Sequence, residues 1–143
     1  MIEHDYFDQI VSSYAATALW SSVWYDNWED MSNGVNEFNL DDRYDVTDIT
    51  ADTLASFRAD IVDFLVMLSV IEDYNHGPIN LFDIEAVMSW SQFGHDFWLT
   101  RNGHGAGFWD RGLGEFGDIL TKWASTFGEV NLFVNADNEI EAD

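Results

Sequence analysis

Arg101, His104 and Arg111 stand in one window, "GHDFWLTRNGHGAGFWDRGLG" (Gly94 to Gly114), beside His95 and six glycines, in a chain with only five Lys+Arg and four His. Two guanidinium groups, an imidazole and the N–H groups of glycine-rich turns are the parts from which a small-anion site can be built. Arg101, His104 and Arg111 are therefore the candidate ligand-binding residues, with a nucleotide signal as one occupant. The spacing matches neither a phosphate-binding loop ending in Gly-Lys-Ser/Thr nor a strand–GxGxxG–helix fingerprint. The same residues have an architectural reading: glycine supplies positive φ at a hairpin tip, and the arginines pair with Asp96 or Asp110. No HExxH or comparable ligand spacing occurs, so no metal site and no cofactor are expected. Ser12-Ser13, Ser21-Ser22 and Ser125 lie in no G-x-S-x-G elbow. The carboxylates are too numerous for one acid/base pair to stand out. No catalytic residue is assigned, and the protein is expected not to be an enzyme.

The elements that must hold this window can be read from periodicity. Residues 3–25 carry Phe7, Ile10, Tyr14 and Ala18 at helical steps. A second helix begins near Thr50, where Thr50 or Asp48 can cap it, and shows Leu54, Phe57, Ile61, Phe64 or Leu65, Leu68 and Ile71 on one face. Val62, Val66 and Val70 widen that face, which predicts the most buried helix of the fold. The helix ends before "NHGP" (Asn75 to Pro78). A shorter helix follows over about Leu81 to Trp90, capped by Asn80, with Ile84, Val87 and Met88 inward. In the window itself Phe97, Leu99 and Arg101 alternate with Trp98 and Thr100, a strand period. Asn102-Gly103 is a hairpin signal, and Phe108 to Asp110 resume the strand. "GEFGDILTKWASTFG" is helical, with Gly128 just past its end, and Val130, Leu132 and Val134 alternate as a last strand. The expected fold is a single α+β domain over residues 1–143. It has three or four helices on a small antiparallel sheet (a β-hairpin plus the C-terminal strand), in the order α-α-α-β-β-α-β.

Charge is the dominant global property. Asp+Glu number 27 against five Lys+Arg, a formal net charge of -22 at pH 7. That field repels nucleic acid and anionic membranes and attracts basic surfaces. Hydrophobic residues at 47% make the chain foldable despite its charge. Cysteine is absent, which removes disulfides and thiolate metal sites. No apolar run approaches the roughly 20 residues of a membrane span, and the acidic N-terminus lacks the basic start of a signal peptide. A soluble protein of the cytoplasm is expected.

The acids concentrate in "DNWEDMSNGVNEFNLDDRYDVTD", residues 26–48, read as a long acidic loop with room for a short strand or turn. Asp26, Glu29, Asp30, Glu37, Asp41, Asp42, Asp45 and Asp48 face a single Arg43 there. Three causes compete: mimicry of nucleic acid by carboxylates standing in for phosphates, adaptation to high salt, and solubility. A solubility role calls for a magnitude of only about 2–8. The loop reads either as a solvated connector or as a partner-binding surface, in which Trp24, Trp28 and Phe38 add apolar anchors.

"ATALWSS" (Ala16 to Ser22), "YDVTDI" (Tyr44 to Ile49), "GHDFWLTRNGHGAGFWDRG" (Gly94 to Gly112) and "GDILTKWASTFGEVNLFV" (Gly117 to Val134) resemble a family of small proteins of bacteriophages and related mobile elements. The likeness covers most of the chain and carries over no catalytic or binding residues. What it implies is context: small acidic accessory phage proteins are often host-takeover or counter-defence factors. Against the family's pattern the chain has two extended segments, "VWYDNWEDMSNGVNEF" (Val23 to Phe38) and "NHGPINLFDIEAVMSW" (Asn75 to Trp90). The expectation is an acidic inhibitor that mimics DNA and blocks a basic nucleic-acid-binding host protein, a restriction or CRISPR component. It would act in the host cytoplasm, with no direct nucleic-acid or membrane binding, and as a possible homodimer. The alternatives are a small anionic-ligand binder built on the glycine-rich hairpin and an accessory structural or regulatory phage protein.

Overall fold

Residue types at the helix starts set most of the element boundaries in the computed structural model, which describes residues 2, 4–72 and 77–143. Glu3, Asn75 and His76, used in the sequence reading, lie outside the described residues. Thr50 accepts from the Thr53 backbone N–H and opens α3, Ala51–Val70. Asn80 and Asp83 form a reciprocal capping box at α4, Leu81–Glu85. Ser89 accepts from the Gln92 N–H and opens α5, Trp90–Arg101. Before them run α1 (Tyr6–Ser21), β1 (Val23–Tyr25), α2 (Trp28–Asn33) and β2 (Glu37–Asn39). After them come α6 (Glu115–Ser125), β3 (Leu132–Val134) and β4 (Ile140–Ala142). Single 3-10 turns lie at Leu40–Asp42, Val46–Asp48 and Phe108–Asp110.

The α+β class holds, but the arrangement differs from expectation. There are two separate antiparallel two-stranded sheets, β1–β2 and β3–β4, with six α-helices among the described residues. Trp24 lies opposite Phe38 in one ladder and Phe133 opposite Glu141 in the other. The single C-terminal strand of the sequence reading is a hairpin, turned at Asn135–Glu139 with Asn138 at φ 62°.

The largest correction concerns the predicted hairpin over Phe97 to Asp110. Its first half is α5, and its second half is a loop closed by the 3-10 turn Phe108–Asp110. Helix α5 is buried on every side through its second half: Asp96, Phe97, Trp98, Leu99, Thr100 and Arg101 all lose their water. A helix without a polar face shows no 3.6-residue stripe, so the two-residue alternation of Phe97, Leu99 and Arg101 dominated the reading.

Helix α3 is corrected in the opposite sense. It buries Phe57, Ile61, Phe64 and Leu68, but Val62, Val66 and Val70 face solvent, with Val70 69% exposed. The valines lie on the neighbouring helical rows, beyond the reach of α1 and α6. The third predicted helix is shorter than expected; Ile84 is buried, whereas Val87 is exposed.

Aromatic rings fill the centre. Phe64 stacks on Phe97 at 4.3 Å between centroids. Tyr14 meets Phe57 and Trp98 edge-on at 5.1 and 5.2 Å. The axis of this core is the α1–α5 pair, the most extensive helix contact among the described residues. Gly94 makes the close crossing possible: a methyl group there would overlap the Ser13 Oγ and the Ile10 carbonyl oxygen.

Candidate partner-binding face

Arg101 and Arg111 belong to the scaffold. The Arg101 side chain is 4% exposed. It donates to the Tyr14 hydroxyl (3.0 Å), to Asp60 Oδ2 (2.6 Å) and to the carbonyls of Phe127 (3.0 Å) and Gly128 (2.9 Å). It thus ties α5, α1 and α3 to the turn that follows α6. Burial pushes the Tyr14 hydroxyl up to about 12, although Arg101 opposes the shift. Arg111 grips the fully buried Asp96 with two donors, at 3.1 and 2.8 Å. Its NH2 group also reaches the Ala106 carbonyl. Donating to Asp96 raises the Arg111 pKa. Gln92 and His95 complete the shell of Asp96, at 2.7 and 2.9 Å. Asp96 was expected to pair with an arginine and does so; the partner of Arg101 is Asp60 rather than Asp110.

The glycines of the window have equally local reasons. Gly107 lies against Thr100, whose hydroxyl accepts from the Phe108 N–H at 3.1 Å. Gly114 holds φ 60° at the start of α6. Arg101, His104 and Arg111 do not converge. His104 is exposed and lines a different surface, a cleft shared with Ser22 and Glu129.

The acidic segment has more structure than a loop with a short strand or turn. It is an arm built of β1, α2 and β2, followed by the two 3-10 turns. Asn27 caps α2 by accepting from the Asp30 N–H at 2.9 Å, and Gly34 closes that helix in the left-handed region. The Asn39 amide donates to the Trp20 carbonyl, and Leu40 is fully buried, so the arm is anchored on α1. Asp45 and Asp48 form a capping box around Val46–Asp48. Asp26 pairs with Arg43, whose guanidinium lies 3.7 Å above the Phe38 ring. That bond holds the Asp26 carboxyl below the usual carboxylate range. Hydrogen bonding from Thr47 does the same for Asp45.

Of the eight candidate acids, Asp26, Asp45 and Asp48 thus fix the arm's shape. Glu37 meets the Tyr25 hydroxyl at 3.4 Å, and Asp30 accepts from the Asn36 amide at 3.4 Å. Glu29, Asp41 and Asp42 are exposed, with no hydrogen bond or ion pair from their side chains to another described residue. Trp28 is 75% exposed, next to exposed Met31 and Val35, whereas Trp24 is half-buried against the core.

Sequence reasoning missed a second acidic element. The Tyr44 hydroxyl donates to Asn138 Oδ1 at 2.7 Å, and the Thr50 N–H donates to the Ile140 carbonyl at 3.0 Å. These bonds seat the β3–β4 hairpin against the base of the arm. A furrow of about 610 Å³ there is lined by Asp52, Asp137, Glu139 and Glu141. The acids of "NADNEIEAD" were visible in sequence, but nothing local links them to residues ninety positions earlier.

No protein-family model, no curated protein and no solved structure matches this chain. Among the described residues no helix is long and apolar enough to cross a membrane.

Proposed function

We propose that this protein is an acidic inhibitor that occupies the basic groove of a nucleic-acid-binding protein, with the arm and the C-terminal hairpin as its contact face. The observation that carries this reading is an ordered arm with eight carboxylates and one arginine in residues 26–48. Caps, an ion pair and an anchor on α1 hold it in shape. Exposed carboxylates also stand on α1, α3 and α6. The arm differs from those surfaces in density and in carrying exposed Trp28 and Met31, side chains of the kind that anchor interfaces. A rigid acidic face costs little ordering entropy on binding, and its charge accelerates encounter with a cationic groove. The sequence resemblance to phage and mobile-element proteins is the reason for seeking the partner among host defence components.

The test is capture from bacterial lysate by the wild-type chain and by the variant Glu29→Gln/Glu37→Gln/Asp41→Asn/Asp42→Asn. The expected partner is a nucleic-acid-binding protein whose capture weakens strongly between roughly 0.05 and 0.2 M salt, as phosphate contacts do, and is lost in the variant. Capture that is indifferent to both salt and the four substitutions contradicts the reading.

A further inference from the structure

The cleft that holds His104 has a chemistry of its own, separate from the arm. Its volume is about 330 Å³, at the lower end of the range for small-ligand sites, and its lining includes Ser22, Trp98, Asn102, His104 and Glu129. Ser22 is the C-cap of α1 and Asn102 the C-cap of α5, so two helices end at this cleft. Helix C-terminal ends carry partial negative charge and favour cations. Glu129 adds a full negative charge, and His104 is the only basic side chain in the lining.

The side chains of Ser22, His104 and Glu129 form no hydrogen bond with any described residue. Their neighbours are engaged. Trp98 Nε1 donates to Ser21 Oγ at 2.8 Å, and Asn102 bridges the Trp98 carbonyl and the Val130 N–H at 2.9 and 2.8 Å. Those bonds hold the floor and wall, while three polar residues of the lining keep unengaged side chains. Because no bond joins Ser22 to His104 or His104 to Glu129, the set lacks the relay that nucleophilic catalysis needs. It offers a carboxylate, a hydroxyl and an imidazole as acceptors above the buried Trp98 indole, which forms part of the floor.

We infer that this cleft binds a guanidinium group, the side chain of an arginine presented by a peptide or protein. A planar cation with five donors matches several acceptors set around one opening better than a compact ammonium does. Glu129 supplies the ion pair and Ser22 a neutral acceptor. This inference does not depend on the acidic face, and it can succeed or fail without any partner of the arm being known.

The experiment follows the assigned indole N–H of Trp98 by NMR while the peptide Ac-Gly-Arg-Gly-NH2 is added, with Ac-Gly-Lys-Gly-NH2 and Ac-Gly-Asp-Gly-NH2 as parallel titrations. The expected result is a saturable shift with the arginine peptide at a roughly millimolar dissociation constant, reasonable for one side chain in a small cleft. Weaker binding is expected from the lysine peptide and none from the aspartate peptide. Glu129→Gln, at an exposed position, is expected to weaken arginine binding at least about tenfold, consistent with losing a charge-assisted bond, and Ser22→Ala to weaken it less. No saturable shift, equal shifts from all three peptides, or unchanged binding in a folded Glu129→Gln variant overturns the assignment.

Discussion

Arg101 and Arg43 show how differently this protein uses its few cations. Arg101 sits inside the scaffold, where one guanidinium joins two side chains and two carbonyls of the turn after α6. Arg43 sits on the arm in the open, pairing with Asp26 and covering Phe38. Around Arg101 burial makes each polar bond obligatory, because an unpaired charge there has no water to turn to. Around Arg43 solvent screens the pair, so the arm's shape rests on short-range caps and on its anchor to α1 as well as on that pair. Arg101 therefore serves the stability of the scaffold, and the arm leaves Glu29, Asp41 and Asp42 unengaged by other described residues.

If that contrast holds, damage to the scaffold is large and damage to the arm is small. Arg101→Met strands Asp60 and two carbonyls, and is expected to cost about 3–5 kcal/mol in chemical denaturation. Gly94→Ala drives α1 away from α5 and is expected to cost about 3 kcal/mol, with loss of near-ultraviolet dichroism from the packed aromatic core. Alkaline titration probes the same centre. The Tyr14 hydroxyl is raised from 10.0 to about 12 in the fold, so its contribution is complete below pH 10 and lost as pH climbs towards 12. Denaturant midpoints are expected to fall across that interval, and to fall less in Tyr14→Phe. On the arm the sign reverses. The depressed Asp26 and Asp45 carboxyls stabilise it above the ordinary aspartate value and cease to do so as pH drops below it. The indole signals of Trp24 and Trp28 are then expected to change before the core unfolds. Neutralising Glu29, Glu37, Asp41 and Asp42 together is expected to move the melting temperature by only about 2 °C, the scale of a sub-kilocalorie change, and upward where self-repulsion is relieved.

The same contrast explains what could be read from sequence. Helices whose signals are local were legible: the Thr50 and Asn80 caps stand where expected, and α6 lies within its expected span, although it ends at Ser125, before Gly128. Helix α5 was not legible, because total burial erases the amphipathic stripe and Asn102-Gly103 closes a helix as readily as a hairpin. The face of α3 was misjudged since valine spacing reports helicity and cannot report how far the neighbouring helices extend. Of the candidate residues, the acids of the arm were found by composition, but their division into structural and unengaged groups depends on Arg43, Thr47 and Tyr25, which only the fold brings near. The linkage of Tyr44 to Asn138, and with it the second acidic element, is a contact across 94 positions that no local pattern encodes.

The most direct test of the acidic-face account is a three-component binding measurement with the captured partner, this protein and duplex DNA, followed by analytical ultracentrifugation. The account predicts mutual exclusion: the acidic chain displaces DNA from the partner, and added DNA displaces the chain. A stable ternary complex, with DNA and this protein bound to the partner at once and neither weakening the other, contradicts it.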